Sequence, residues 1–218
     1  MSIAKASIFF CSCKLSFNVI ITDMTKNELR KYIKAKLAEN KQVFTDEAAS
    51  ICNKILVENW FKEASVVLAY MPLPDEVDVL PVINAAMTEG KKVAIPRVEV
   101  QNQMHFYYLD DEVELNAQVE SGYCGINEPK TSGKKFCSGD DFDSVLVLVP
   151  GREFTEKGER LGRGKGFFDV FLKQLMAECD AAGKKVYTTG VCFFCQVVDS
   201  VPTEQNDVFV DKVITLKN

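Results

Sequence analysis

VPGREFTEKGERLGRGKGFFD, residues Val149–Asp169, joins two segments whose apolar patterns predict regular structure. The apolar run Val145–Val149 at its start is typical of a buried strand. The segment FFDVFLKQLMAECDAAG at its end has apolar residues at helical spacing and stops at Gly183. A strand, a glycine-rich turn and a helix in this order indicate one unit of a mainly parallel sheet.

The turn between this strand and helix combines glycines with cations. These residues are Gly158, Gly162, Gly164 and Gly166, together with Arg160, Arg163 and Lys165. Glycine lets the backbone approach a ligand closely, and free N–H groups at a helix start attract anions. Arginine adds forked donors that match phosphate oxygens. We therefore predict a polyphosphate site; the alternative is a solvated turn that is merely basic.

The turn differs from two common phosphate-binding motifs. A Walker A motif requires Ser or Thr after Gly164-Lys165, where this chain has Gly166. A dinucleotide fingerprint requires G-x-G-x-x-G, whereas residues 162–166 read G-x-G-x-G. The prediction therefore depends on the charge and glycine content of the turn.

The composition suits a globular domain that acts on small molecules. The chain has 218 residues, of which 47% are hydrophobic, and this is enough to build one core. Its net charge of −5 argues against general nucleic-acid binding, which needs a basic face. The cations of the glycine-rich turn therefore stand out against an acidic background.

Eight cysteines and one histidine limit the available chemistry. Cys192 and Cys195 lie in a predicted strand, where positions three apart point to opposite faces. We interpret them as core thiols, and redox chemistry is the alternative. His105 lies in the strand-like sequence MHFYYL, so a histidine-dependent nucleophilic mechanism is not favoured.

The first 23 residues differ from the rest of the chain. They are apolar, but Lys14 interrupts them, and the stretch is too short for a membrane span. A weak signal peptide is the alternative interpretation. The sequence Thr25–Glu28 fits a capping box at the start of a helix. We expect an N-terminal extension over residues 1–23, a single domain over residues 24–218, and a cytoplasmic monomer with no membrane partner.

Apolar periodicity predicts alternating helices and strands over the remainder. The predicted helices are Thr25–Glu39, Thr45–Trp60, Val79–Glu89 and one from Gly166, and the predicted strands are Ser65–Met71, Lys92–Val98, Met104–Leu109, Val145–Val149, Val186–Phe194 and Val208–Ile214. This alternation predicts an α/β fold, an open, mostly parallel sheet with helices on both faces in a three-layer, Rossmann-like arrangement.

Such sheets bind ligands beyond the carboxyl ends of their strands, where three polar loops are expected. They are Met71–Asp78 with Glu76, the glycine-rich turn, and Asp199–Asp207. A phosphate site usually needs Mg²⁺, which takes one or two carboxylates. Asp169 and Asp207 are the candidate pair, although ordinary turn chemistry is an equal explanation for Asp207.

The ordered motifs resemble those of 5-formyltetrahydrofolate cyclo-ligases, also called 5,10-methenyltetrahydrofolate synthetases, from about Lys26 to Thr215. The family's most specific motif resembles VPGxxFDxxGxRLGxGxGYYDxYL and stands here as VPGREFTEKGERLGRGKGFFDVFL. The supporting segments are KNELR at Lys26–Arg30, YMPLPDEVD at Tyr70–Asp78, GKKVAIPRV at Gly90–Val98, GINEP at Gly125–Pro129 and QVVDSVPTEQNDVFVDKVIT from Gln196.

The resemblance implies an ATP- and Mg²⁺-dependent closure of 5-formyltetrahydrofolate to 5,10-methenyltetrahydrofolate, with release of ADP and phosphate. It implies ATP contacts at Lys26, Arg30, Arg160, Leu161, Gly162, Arg163, Gly164, Lys165, Gly166, Phe167 and Phe168. It implies folate contacts at Met71, Glu76, Arg163, Gly164, Lys165, Gly166 and Phe167, and magnesium ligands at Asp169 and Asp207. Arg163 and Lys165 are the expected catalytic residues.

Three departures from the family pattern keep other functions open. Thr155 replaces an aspartate, Arg152-Glu153 replaces two small or apolar residues, and Phe167-Phe168 replaces two tyrosines. One alternative is a non-catalytic binder of folate or nucleotide. Another is an enzyme of the same architecture that acts on a phosphorylated sugar with Glu76 as base.

Overall fold

The computed structural model describes residues 24–39, 44–99 and 103–216, so the predicted extension over residues 1–23 lies outside the described residues. The helices are α1 (Lys26–Glu39), α2 (Phe44–Val57), α3 (Asn59–Glu63), α4 (Leu80–Thr88), α5 (Leu115–Gln118) and α6 (Phe167–Ala181). The strands are β1 (Val66–Leu68), β2 (Lys92–Val98), β3 (Met104–Tyr108), β4 (Val119–Ser121), β5 (Asn127–Pro129), β6 (Ser144–Pro150), β7 (Glu153–Phe154), β8 (Arg160–Leu161), β9 (Lys185–Val191) and β10 (Lys212–Ile214). None of the described helices combines the length and apolarity that crossing a membrane requires.

Six strands form one sheet in the order β10-β9-β6-β1-β2-β3. Every pairing in it is parallel except that of β3 with β2. Val67 at the centre of β1 lies opposite Val93 of β2 and Leu146 of β6. The predicted α/β fold with an open, mostly parallel sheet is confirmed.

Helices cover both faces of this sheet, because successive side chains of a strand point to opposite sides. Leu146 of β6 belongs to a buried cluster with Ile51 of α2 and Ile83 of α4. Its neighbour Val147 belongs to a second cluster with Leu172 of α6. Burial of each such side chain contributes roughly 1.5–3 kcal/mol, and both clusters together fix the three layers.

The strand order reverses its direction between β1 and β6. From β1 the chain passes through α4 to β2 on one side, and from β6 it passes through α6 to β9 on the other. The two connections therefore lie on opposite faces, and the loops after β1 and β6 separate to leave a crevice. The β7–β8 hairpin and the glycine-rich turn lie within the second of these connections.

The predicted helix Thr45–Trp60 and the predicted strands Ser65–Met71 and Val208–Ile214 are wrong in extent, and the first of these strands is limited to β1. The predicted helix Thr45–Trp60 is two helices, since Glu58 is extended with φ −64° and ψ 142°. The predicted strand Val208–Ile214 is limited to β10, since the N–H of Val210 donates to the carbonyl of Gly158 at 2.9 Å. This bond attaches the last connection to the turn after β7.

The prediction that Cys192 and Cys195 are strand residues is also wrong. Strand β9 ends at Val191, and the chain turns where the Oε1 of Gln196 accepts a hydrogen bond from the N–H of Phe193 at 2.8 Å. Neither cysteine forms a disulfide within the described residues, and the thiol of Cys192 is fully buried, as the core-thiol interpretation predicts.

Candidate active site

A cleft of about 1420 Å³ opens beyond the carboxyl ends of β1 and β6. All three loops predicted to hold ligands line it, together with the start of α1 and the β4–β5 hairpin. Every residue predicted to contact ATP, folate or magnesium contributes to the lining: Lys26, Arg30, Met71, Glu76, Arg160, Leu161, Gly162, Arg163, Gly164, Lys165, Gly166, Phe167, Phe168, Asp169 and Asp207. The fold thus brings residues from the two ends of the chain into one site.

Arg163 joins the glycine-rich turn to the loop after β1. Its Nε lies 2.8 Å from the Oε1 of Glu76, and its NH2 group lies 2.6 Å from the Oδ1 of Asp75. Burial acts to lower the pKa of Arg163, but the charges and hydrogen bonds of Glu76 and Asp75 outweigh it and raise that pKa. The guanidinium therefore stays charged between the expected folate and phosphate positions.

Glu76 is held in place by its own loop. Its Oε2 accepts a hydrogen bond from the N–H of Leu73 at 3.0 Å, and its side chain is only 7% exposed. The buried hydroxyl of Tyr70 donates to the carbonyl of Val77 at 2.8 Å, which fixes the base of the loop. A buried acceptor in a rigid loop is suited to bind the N–H donors of a planar ring.

The glycine-rich turn takes backbone conformations that require glycine at two positions. Gly158 has φ +86°, and a Cβ there would lie 1.9 Å from the carbonyl oxygen of Val210. Gly164 has φ +99°, and a Cβ there would lie 3.1 Å from the guanidinium carbon of Arg30. Arg30 also donates from Nε to the carbonyl of Gly162 at 2.8 Å. Helix α1 and the turn therefore meet through Arg30.

Lys165 differs from the other cations of the turn. It is exposed at the cleft and, within the described residues, has no ion-pair partner. An ammonium without a partner attracts an incoming anion without first breaking a bond. Lys165 is thus the group of the turn most available to a phosphate.

Arg160 is buried beneath the turn and engaged with the protein. Its NH2 group lies 2.7 Å from the Oδ1 of Asp169, its side chain is 4% exposed, and its guanidinium lies over the ring of Phe168. Its Nε is buried and has no hydrogen-bond partner among the described residues. Arg160 therefore supports the cleft from below, whereas Arg163 and Lys165 face it from the rim.

Lys26 connects the start of α1 with the loop before β10. Its Nζ lies 2.8 Å from the Oδ2 of Asp207 and 3.1 Å from the Oε1 of Glu204. Burial acts to raise the pKa of Asp207, but the hydrogen bond of Lys26 and the N–H of Glu204 outweigh it and lower that pKa. Asp207 is thus ionised in this cleft.

The carboxylates of Asp169 and Asp207 are a donor set that fits Mg²⁺. The Oδ1 of Asp169 accepts a hydrogen bond from the N–H of Val208 at 3.2 Å, so the two carboxylates come from adjoining parts of the cleft. Mg²⁺ takes one or two carboxylates and completes its octahedron with water and phosphate oxygens. Within residues 24–39, 44–99 and 103–216, no cluster of three or more His, Cys, Asp or Glu could hold a metal. The pair therefore suits a metal that arrives with phosphates.

The two phenylalanines that depart from the family pattern have different surroundings. Phe167 contacts Tyr123 of the β4–β5 hairpin edge to face, with 5.8 Å between ring centroids, and both line the cleft. Phe168 packs edge to face on Phe106 of β3 at 6.3 Å. Phe167 is therefore placed to contact a substrate ring, while Phe168 mainly anchors α6 to the sheet.

Thr155 closes the turn after β7. Its Oγ1 accepts a hydrogen bond from the N–H of Glu159 at 3.2 Å, and its own N–H donates to the carbonyl of Glu159 at 3.0 Å. Thr155 does not line the cleft. The Thr155 hydroxyl therefore serves the turn as a side-chain acceptor and has no contact with the cleft.

Glu153, the first residue of β7, carries a buried carboxyl group. It is fully buried, and neither side-chain oxygen has a hydrogen-bond partner among the described residues. Burial raises its pKa to about 8, and the nearby charge of Lys36 offsets only part of this. Glu153 is therefore protonated at neutral pH.

Sequence reasoning missed Asp75 and Tyr123 and noted Arg152 only as a departure. Arg152 is buried and pairs with Asp75 at the cleft wall. The signals were the adjacent acids in PLPDE and the charged pair Arg152-Glu153 that follows the apolar run of β6. His105 lies in a strand, as predicted. This strand is β3, where His105 pairs with Arg97 of β2, and His105 is not among the described residues that line the cleft.

Comparisons with known proteins identify the family of the chain. The sequence profile described as the 5-formyltetrahydrofolate cyclo-ligase family matches residues 22–216. The 5-formyltetrahydrofolate cyclo-ligase of Mus musculus is 24% identical over 197 residues, which cover 88% of this chain and 95% of the mouse protein.

Solved structures with similar folds include two from bacteria. The 5,10-methenyltetrahydrofolate synthetase of Aquifex aeolicus has a TM-score of 0.71 at 30% identity, covering 89% of this chain and 91% of its own. That of Mycoplasma pneumoniae has a TM-score of 0.63 at 21% identity, covering 89% and 100%, and supports the fold alone. From the extent of the profile match and the Aquifex likeness, the chain belongs to the 5-formyltetrahydrofolate cyclo-ligase family.

Proposed function

We propose that this protein closes 5-formyltetrahydrofolate to 5,10-methenyltetrahydrofolate in a reaction that consumes ATP and requires Mg²⁺. The observation that carries the proposal is the ion pair between Arg163 and Glu76. It places the expected phosphate loop against the expected folate loop within one cleft. A reaction that transfers a phosphoryl group from ATP to folate needs this adjacency.

The chemistry requires activation of a poor leaving group. The formyl oxygen attacks the γ-phosphorus, the bond to ADP breaks, and the formyl oxygen becomes part of a phosphate ester. The neighbouring folate amine then attacks the formyl carbon and loses its proton, and phosphate departs with that oxygen. Such a transfer depends on positioning and charge neutralisation, and needs no covalent nucleophile from the protein.

The residues of the cleft divide between the two substrates. Lys165 and Arg163 neutralise charge on the transferred phosphoryl group, and Arg30 holds the turn beside it. Glu76 accepts N–H donors of the pterin and Phe167 packs against its rings. Asp169 and Asp207 would hold Mg²⁺, which neutralises charge on phosphate oxygens when it is bound.

The proposal is tested by incubating the purified protein with 5-formyltetrahydrofolate, ATP and Mg²⁺ while the methenyl absorbance is recorded. We expect product only when ATP is present, with one ADP released for each methenyl group. Binding of both substrates without product would instead identify a non-catalytic binder. Binding of sugar phosphates without binding of ATP would instead identify an enzyme that acts on a phosphorylated sugar.

A further inference from the structure

Asp75 connects two arginines that come from different parts of the chain. Its Oδ1 accepts a hydrogen bond from Arg163 at 2.6 Å, and its Oδ2 accepts one from Arg152. Arg152 follows β6 directly, whereas Arg163 lies in the glycine-rich turn. Each oxygen of one carboxylate thus holds one guanidinium.

The two arginines differ in how firmly the protein holds them. The side chain of Arg152 is 10% exposed, its N–H donates to the carbonyl of Leu161 at 2.7 Å, and its carbonyl accepts from Gln196 at 2.9 Å. The side chain of Arg163 is 33% exposed and lies between two glycines. Asp75 therefore links a more exposed guanidinium to a more buried one.

The charges of the four side chains in this cluster balance. Arg152 and Arg163 carry two positive charges, and Asp75 and Glu76 carry two negative charges. Burial acts to raise the pKa of Asp75, but hydrogen bonds and charge from Arg163 and Arg152 outweigh it and lower that pKa. Asp75 therefore stays ionised, and the loss of one partner would leave the cluster with an unbalanced charge.

Binding of a pterin would change this balance, because its N–H donors compete with Arg163 for the oxygens of Glu76. Asp75 would then be the remaining carboxylate partner of Arg163. Resting on the proposed function, we infer that Asp75 is a positioning residue that keeps Arg163 between folate and the γ-phosphate, and that Arg152 weakens this hold by sharing the carboxylate. Because Asp75 also pairs with Arg152, it holds Arg163 weakly enough for the Arg163 guanidinium to contact the triphosphate.

The variant Asp75→Asn distinguishes a role of Asp75 in positioning Arg163 from a role in binding the nucleotide. We expect kcat to fall about 10- to 100-fold, because a misplaced group costs rate, while the calorimetric Kd for a non-hydrolysable ATP analogue stays equal or improves. A merely structural role would instead weaken nucleotide binding, folate binding and melting temperature together, and that result would overturn the inference. Asp180→Asn, at an exposed position of α6 outside the cleft, is the matched control.

A double-mutant cycle tests the role of Arg152. Arg152→Leu should weaken binding of the ATP analogue about 5-fold, the size of coupling transmitted through a neighbour, and Arg152→Gln provides a second variant if the first is unstable. The effect should vanish in the Asp75→Asn background; an equal effect in both backgrounds would overturn the inference.

Calorimetry also separates this inference from the proposed function. Absence of methenyl product from the wild type would count against the function alone, while the nucleotide affinities would still report on Asp75. Absence of ATP-analogue binding by the wild type would overturn both.

Discussion

The Nε of Arg163 lies 2.8 Å from the Oε1 of Glu76, although 87 positions separate the two residues in the chain. The bond crosses the point at which the strand order reverses, and so links the connections on the two faces of the sheet. Any ligand that engages one of these side chains changes the electrostatic surroundings of the other. The following predictions start from this cluster and extend to the rest of the cleft.

Glu76→Gln should raise KM for 5-formyltetrahydrofolate about 10- to 100-fold, the range expected from losing hydrogen bonds to a charged group. The change in KM for ATP should be several-fold smaller, since Asp75 still holds Arg163. Initial rates at varied concentrations of each substrate provide the measurement. Glu112→Gln, at an exposed position outside the cleft, is the control, and equal changes in the two KM values would contradict the assignment.

Lys165→Ala should lower kcat about 10²- to 10³-fold, the scale found when a donor to a transition-state oxygen is removed. The melting temperature should stay unchanged, because Lys165 is exposed and forms no ion pair within the described residues. Arg163→Ala should show a similar loss of rate. Lys157→Ala, on the exposed turn after β7, is the control. Wild-type rates in both Lys165→Ala and Arg163→Ala would refute the catalytic role of these two residues.

Asp207→Asn should increase the Mg²⁺ concentration needed for half-maximal rate about tenfold, since it removes one of two candidate carboxylate ligands. A second readout is the rise in melting temperature that Mg²⁺ produces with a non-hydrolysable ATP analogue, which should shrink in the variant. An unchanged Mg²⁺ requirement and an unchanged thermal shift would exclude Asp207 as a ligand.

Asp169→Asn should lower stability more than Asp207→Asn does. Asp169 neutralises the buried guanidinium of Arg160, and breaking a buried pair costs about 3–5 kcal/mol. Asp207 pairs with Lys26, whose side chain is more exposed than that of Arg160. Denaturant unfolding of the two variants tests the order, and a reversed order would show that Arg160 has another stabilising partner.

Glu153 should make stability depend on pH. Its pKa is raised from 4.5 to about 8, so the folded protein retains a proton that the unfolded chain has lost. Its contribution to the free energy of unfolding is therefore fully present below about pH 4.5, is lost progressively as pH rises through about 8, and amounts to at most about 5 kcal/mol.

Glu153→Gln removes this titration. The difference in melting temperature between the variant and the wild type should grow from pH 5 to pH 8.5 in favour of the variant. Glu156→Gln, at an exposed neighbouring position, should show no such trend. A constant difference across this range would mean that Glu153 is ionised in the folded protein.

Local patterns were enough to predict the unit formed by β6, the glycine-rich turn and α6. The apolar run of β6 reflects a strand that is buried on both faces, and the helical spacing after Gly166 reflects a helix that is buried on one face. Both patterns can be recognised from residues that are close together in the chain. The same periodicity predicted the α/β class and the position of Glu76 in a loop after a strand. It failed where one hydrogen bond ends an element, as at Val210.

The order of strands and the pairing of charges are settled by contacts that no local pattern contains. Many sheet orders satisfy the same alternation of helices and strands, and only the placement of β6 beside β1 brings Arg163 to Glu76 and Arg152 to Asp75. The folded turn also makes Arg160, one more cation of the turn by sequence, a buried partner of Asp169 nine positions further along the chain. Side-chain partners depend on distances across the folded sheet, because electrostatic and hydrogen-bonding energies fall steeply with separation in space and not along the chain.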